Sequence, residues 1–222
     1  MIIAEALFLL LLDDDSGKLV IGSGWTDMAL SAAILAELAA QDFTTFSSEK
    51  KRGEGCLVLS GTRSTGDELL DDALQRLTRV EGKPASHAVQ ALSKGAVDAV
   101  AERLVERGFV EQGKGKMLGL VPVPVWSTTD PRYKQGLRQP LEDVLSGAAE
   151  PDERSGTIIA ILLSMNALNK VFEATDRAHA RVLRARAEQI KGGSWANDAL
   201  NRSLQALYAS IAALVAATGI GS

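Results

Sequence analysis

At 222 residues the chain is long enough to bury one sizeable core, and 46% hydrophobic against 23% charged residues is an ordinary globular balance. A formal net charge of −4 argues against a protein that coats nucleic acid non-specifically, while leaving room for a local basic face. A single cysteine, Cys56, excludes an internal disulfide and fits a reducing, cytoplasmic compartment.

Residues 1–12 read as a short helix stopped by the acidic turn Asp13-Asp14-Asp15, with a buried strand as the alternative for so short an apolar run. Only seven apolar residues (6–12) run consecutively, against about 20 needed to span a bilayer, so a soluble chain is expected that would meet a membrane from the side. Residues 18–21 can form a short strand, and Thr26 or Asp27 can cap the helix that follows. That helix, 28–40, is apolar on most sides and should be central. Residues 43–46 and 56–59 flank a charged loop with Lys50, Lys51 and Arg52, which predicts an antiparallel hairpin with a basic tip. Thr65-Gly66-Asp67 precedes an amphipathic helix, 86–92 gives a short one, and 95–107 a longer one closed by Gly108. A second hairpin is expected over 109–125, turning at Gly113-Lys114-Gly115-Lys116. Asp130-Pro131 opens another helix, in which Pro140 either makes a kink or starts a new segment. The apolar stretch 156–172 should be the innermost helix, 176–191 an amphipathic basic one, and 195–218 the last.

Chemistry-bearing patterns are sparse. His87 and His179 lie far apart among small neighbours, and no metal-type spacing, nucleophile elbow or phosphate loop occurs. Cys56 sits among strand residues as a small hydrophobe, and three consecutive aspartates cannot all converge on one cation. A non-enzymatic protein is therefore expected, with no cofactor and no metal. Two helix–hairpin units have the local order of a winged helix, but the helices before them lack side chains suited to base edges, so nucleic acid is not the expected partner. Arg177, Arg181 and Arg184 recur on one helix face and are candidate contacts to an anionic surface, although Glu173, Asp176 and Glu188 could pair with some of them. Arg132, Lys134 and Arg138 form a second local basic group.

One order of segments is more specific than any of these. The leucine run, the acidic turn, a Trp25-led apolar helix, Thr65-Gly66-Asp67-Glu68-Leu69-Leu70-Asp71-Asp72-Ala73-Leu74, Leu104-Val105-Glu106-Arg107-Gly108 and Tyr133-Lys134-Gln135-Gly136-Leu137 together resemble the GPP34, or Golgi phosphoprotein 3-like, family. The resemblance implies a mainly α fold over 1–222 as a single domain. It consists of an apolar helical core ringed by amphipathic helices, with two or three short antiparallel β-hairpins. It implies a peripheral membrane or adaptor protein. Eukaryotic members bind phosphatidylinositol 4-phosphate through a loop tryptophan, a helix arginine and two later arginines. Aligned without gaps these positions fall on Gly22, Ser31, Lys94 and Val97, so that only Lys94 keeps the charge, and Trp25 could replace the tryptophan as a packed or membrane-dipping residue. Trp25, Ser31 and Lys94 are accordingly the candidate headgroup residues, with an anionic phospholipid or phosphoinositide headgroup as partner. Association through the hairpins would make a homo-oligomer. The alternatives are a protein-interaction scaffold without lipid binding and a winged-helix-like regulator. The alanine-rich, asparagine-poor composition points to a prokaryotic member.

Overall fold

The computed structural model describes residues 1–51, 54–61, 63–117, 121–193, 195–196 and 198–217. Among them run ten α-helices and two hairpins, mainly α as the sequence suggests. In chain order these are α1 (Ile3–Leu11), α2 (Ser23–Ala40), β1 (Thr44–Lys51), β2 (Glu54–Leu59), α3 (Glu68–Leu77), α4 (Ala85–Ser93), α5 (Ala96–Glu106), β3 (Val110–Met117), β4 (Val121–Thr128), α6 (Pro131–Ser146), α7 (Glu153–Ser164), α8 (Leu168–Val171), α9 (Arg177–Lys191) and α10 (Asp198–Ala217). Each hairpin is its own two-stranded antiparallel sheet, β1 with β2 and β3 with β4.

The innermost element is α1 rather than the 156–172 stretch. All nine residues of α1 are buried, and it packs against α2, α5, α6 and α7. Its leucines and Phe8 are apolar around the full circumference, and each contributes roughly 2 kcal/mol on leaving water. Eleven of the eighteen residues of α2 are also buried, making it the second central rod. The 156–172 stretch is not one helix. Asn166 takes φ +52°, its N–H donates to Leu163 O and the Ala167 N–H to Leu162 O, which closes α7 before the short α8 begins. Gly108 closes α5 in the same way, as its position predicts.

Residues 113–116, expected as a turn, belong to β3 and pair with Pro122, Val123, Pro124 and Val125 opposite. Their glycines serve close packing instead, since a Cβ on Gly115 would stand 2.5 Å from Val125 Cγ1. Residues 118–120 lie outside the described residues, as do Arg52 and Gly53 of the expected basic tip, whose Lys50 and Lys51 belong to β1. Residues 18–21 make only an isolated bridge, Leu12 with Leu19. Helix α6 continues through Pro140, where both Pro140 and Gly136 are exposed and the carbonyl that loses its donor faces water.

A buried ionic cluster ties the helices together at the start of α1. Glu5, with 0% side-chain exposure, accepts from Ile2 N at 2.8 Å, Arg103 Nε at 2.8 Å and Arg107. The other edge of the Arg103 guanidinium is bidentate to Asp67, whose Oδ1 also caps α3 through Leu69 N at 3.1 Å. Glu37 of α2 accepts from Ile3 N at 2.8 Å. Burial alone would push the Glu5 carboxyl up, but the Arg107, Arg103 and Ile2 hydrogen bonds outweigh it and hold it below the ordinary value.

Candidate functional site

The site begins at the acidic turn after α1. Asp13 Oδ1 accepts from Ser16 N at 2.8 Å and from the Ser16 hydroxyl, folding the turn on itself. Gly17 then docks on β4: its φ is +65°, its carbonyl accepts from Trp126 N at 2.8 Å, and a Cβ there would stand 2.8 Å from Trp126 O. With Val20 N also bonded to Leu11 O at 2.8 Å, residues 18–22 are fixed beside β4 and deliver the chain to α2.

Helix α2 starts at Ser23, earlier than the apolar periodicity suggests. Its N-cap is Gly22, and no side chain caps it. Thr26 turns its hydroxyl back to Ile21 O and Gly22 O, both at 3.3 Å. Asp27 does not cap its own helix either. Its Oδ1 accepts from Val97 N at 2.9 Å, so it caps α5 across the fold.

Between these elements lies a concavity of about 470 Å³. Gly22, Ser23 and Asp27 supply one side from α2, and Gly95, Val97 and Asp98 a second from the start of α5. Val123, Pro124 and Trp126 of β4 form the third, with Lys18, Leu19 and Ile21 completing it. Burial pushes the Asp27 carboxyl up; the Val97 N–H offsets this in part, and the nearby Asp98 charge adds to it. Trp126 is 4% exposed, its ring meets Phe8 edge-on at 5.3 Å, and its indole N–H is buried without a hydrogen-bond partner among the described residues.

A family model described as Golgi phosphoprotein 3 (GPP34) matches residues 3–207, nearly the whole chain. The chain belongs to the GPP34 family. No curated protein matches it. Of the positions that GPP34 resemblance marks for a headgroup, Gly22 and Val97 line the concavity and Ser31 and Lys94 do not. Ser31 is fully buried two turns into α2, and its hydroxyl donates to Asp27 O at 2.7 Å, which leaves it out of reach of any ligand. Trp25 lies in the first turn of α2, half-buried and packed on the core. Lys94 is exposed at the end of α4, adjoining Gly95, and its carbonyl accepts from Arg76 at 3.1 Å. The three candidates therefore do not gather in one place. The concavity is thus lined by two of the four aligned positions, Gly22 and Val97, together with the carboxylates of Asp27 and Asp98.

The two basic groups are resolved by their partners. Arg132 pairs with Asp130, Lys134 with Leu12 O and Asp14, and Arg138 with both Glu142 and Glu173, so that group is spent inside the protein. Arg177, Arg181 and Arg184 are exposed on α9, beside Val182 at 64% exposure. Of the three, only Arg184 has an ion pair among the described residues, a loose 3.8 Å contact to Glu188. The winged-helix-like units offer no comparable face. Arg103 and Arg107 of α5 are held by Glu5 and Asp67, and α2 is sunk in the core.

Among the described residues, the histidines and the thiol stand apart from one another. His179 Nδ1 accepts from Thr175 N at 3.3 Å, His87 lies on the unrelated α4, and Cys56 is a buried free thiol. No group of His, Cys, Asp and Glu that could hold a metal occurs among the described residues. Among them, no helix is long and apolar enough to cross a membrane. The ionic cluster around Glu5 and the cross-fold role of Asp27 were not legible in the sequence. The partners lie 98 and 70 positions apart, and only the Asp67 cap carries a local signal.

Proposed function

We propose that this GPP34 protein is a non-enzymatic peripheral membrane or adaptor module that rests on the anionic, cytoplasmic face of a bilayer through α9. The observation that carries the reading is the exposed row Arg177, Arg181 and Arg184 on one face of α9. Basic side chains near an anionic surface contribute about 1 kcal/mol each. Guanidinium groups tied up in internal pairs would have to break those pairs first, which removes Arg132 and Arg138 from contention. Phosphatidylinositol 4-phosphate specificity is not part of the proposal, because the lining of the concavity carries two carboxylates where an anion would bind.

Sedimentation with phosphatidylcholine vesicles carrying phosphatidylglycerol tests it. The wild type is expected to bind and to be released as salt rises. The triple variant Arg177→Ala, Arg181→Ala, Arg184→Ala should bind roughly a hundredfold more weakly, from three contributions of about 1 kcal/mol. Binding that is absent, or equal in the triple variant, would remove the membrane reading and leave the adaptor one.

A further inference from the structure

The hairpin of β3 and β4 is a two-stranded sheet with two outer edges, and the sequence treats them differently. The Trp126 N–H donates to Gly17 O at 2.8 Å, so it points away from β3. In an antiparallel pair the hydrogen-bonding direction alternates from one residue to the next. Positions 122, 124 and 126 therefore face the outer edge of β4, and their partners 116, 114 and 112 face the outer edge of β3. The β4 edge is closed: Pro122 and Pro124 have no N–H, and Gly17 takes the remaining donor of Trp126. The β3 edge is open. Gln112 and Lys114 are exposed, and among the described residues no hydrogen bond satisfies their outward N–H and C=O groups.

Charge and surface narrow what pairs there. Proline refuses every strand, whereas lysine refuses only a strand of like charge. Between positions 112 and 117 the chain carries Lys114 and Lys116 and no acid, so two copies joined edge to edge would bring the lysines of both together. On the other face Gly113 and Gly115 add no side chain, and Val125 spreads over both. Its Cγ2 and Cγ1 lie 3.3 Å and 2.5 Å from where the Cβ atoms of Gly113 and Gly115 would stand. A side chain from an added strand meets this half-buried apolar surface.

We propose that the outer edge of β3 binds an extended acidic segment of a partner protein by strand addition, with acidic residues at alternate positions and apolar ones between. Main-chain hydrogen bonds to Gln112 and Lys114 attach it, the acidic side chains meet Lys114, and the apolar ones lie across Gly113 and Gly115 on Val125. A partner of this kind extends the adaptor half of the reading above, on which it rests, and needs no contact between α9 and a membrane.

The probe is a blocked peptide of about eight residues, the reach of one strand, alternating glutamate and valine. Titrated into the full chain, it should protect the Gln112 and Lys114 amides from hydrogen exchange. The Glu111 and Gly113 amides, already paired with β4, should change less. Lys114→Glu should weaken the peptide about tenfold, by losing an attraction and adding a repulsion, and should accept a lysine–valine peptide instead. Gln112→Pro keeps the lysine but removes an outward donor, as on β4, and should also cost about tenfold. A probe N-methylated at one alternate set of amides should lose binding while one methylated at the other set keeps it, which tests strand pairing on the unaltered protein. No binding, wild-type affinity in either variant, equal behaviour of the two methylated probes, or a dimer that the peptide dissociates would overturn the assignment. The variant Arg177→Ala, Arg181→Ala, Arg184→Ala should bind the peptide as the wild type does; a loss there would move the acidic contact to α9 and overturn it too. The titration contains no vesicles, so failure of the membrane reading leaves it standing.

Discussion

Glu5 shows how a charge with no solvent exposure is made favourable in this core. Taking a carboxylate out of water costs several kcal/mol, and three donors meet it: the Ile2 N–H, Arg103 and Arg107. A Glu5→Gln variant should lose about 2–3 kcal/mol at pH 7 in urea unfolding, below the roughly 3–5 kcal/mol of a fully buried pair. It falls there because the two guanidinium partners are 24% and 37% exposed and water can take over part of their solvation. The pH dependence has a definite sign. Because the folded carboxyl lies below its ordinary value of 4.5, its contribution is fully present above that value and is lost as pH falls through the lower folded one. The gap between wild type and variant should accordingly narrow as pH is taken from 5 towards 3; a gap constant over that range would show that the carboxylate charge is not what stabilises.

Among the helices, α7 sets propensity against packing. Gly156 sits in its first half, where alanine would be favoured by about 1 kcal/mol on propensity alone. A Cβ at that position would stand 2.5–2.7 Å from three atoms of the Trp195 indole, itself held by a hydrogen bond to Ile190 O. Gly156→Ala should therefore destabilise by about 1–3 kcal/mol, since overpacking exceeds the propensity gain; an unchanged or raised melting temperature would mean the indole moves aside freely. The elements legible in the sequence were those with local signals. Asp67, Asp130 with Pro131, and Asp176 each cap the helix their position announces. Where the deciding interaction is tertiary, the local signal misleads. Gly113 and Gly115 look like a turn and are packing glycines under Val125, while Asn166 breaks an apolar stretch by taking a left-handed conformation that asparagine tolerates. The site divides the same way. Two of the four positions aligned with the family pattern, Gly22 and Val97, line the concavity, but its shape depends on Asp27 reaching across to Val97 and on Gly17 docking against Trp126, contacts that no spacing rule reveals.

Across the molecule, protection from exchange should follow burial. Backbone amides of Leu9, Leu10 and Leu11 in α1 are expected to exchange only through global unfolding, whereas α9, with only Ala187 and Ile190 buried, should open locally at lower free energy. Hydrogen exchange under native conditions would test this, and equal protection in the two helices would contradict it. The same burial has a consequence for synthesis. Helix α1 leaves the ribosome well before its charge partner, since the guanidinium that meets Glu5 from the end of α5 is 102 residues further on. At about 5–20 residues per second that is a wait of roughly 5–20 s, during which the leucine run can meet α2 but Glu5 lacks its partner from the end of α5. The segment that ends deepest in the protein thus waits for partners made much later, and it is where a ribosome-associated chaperone would find its handhold.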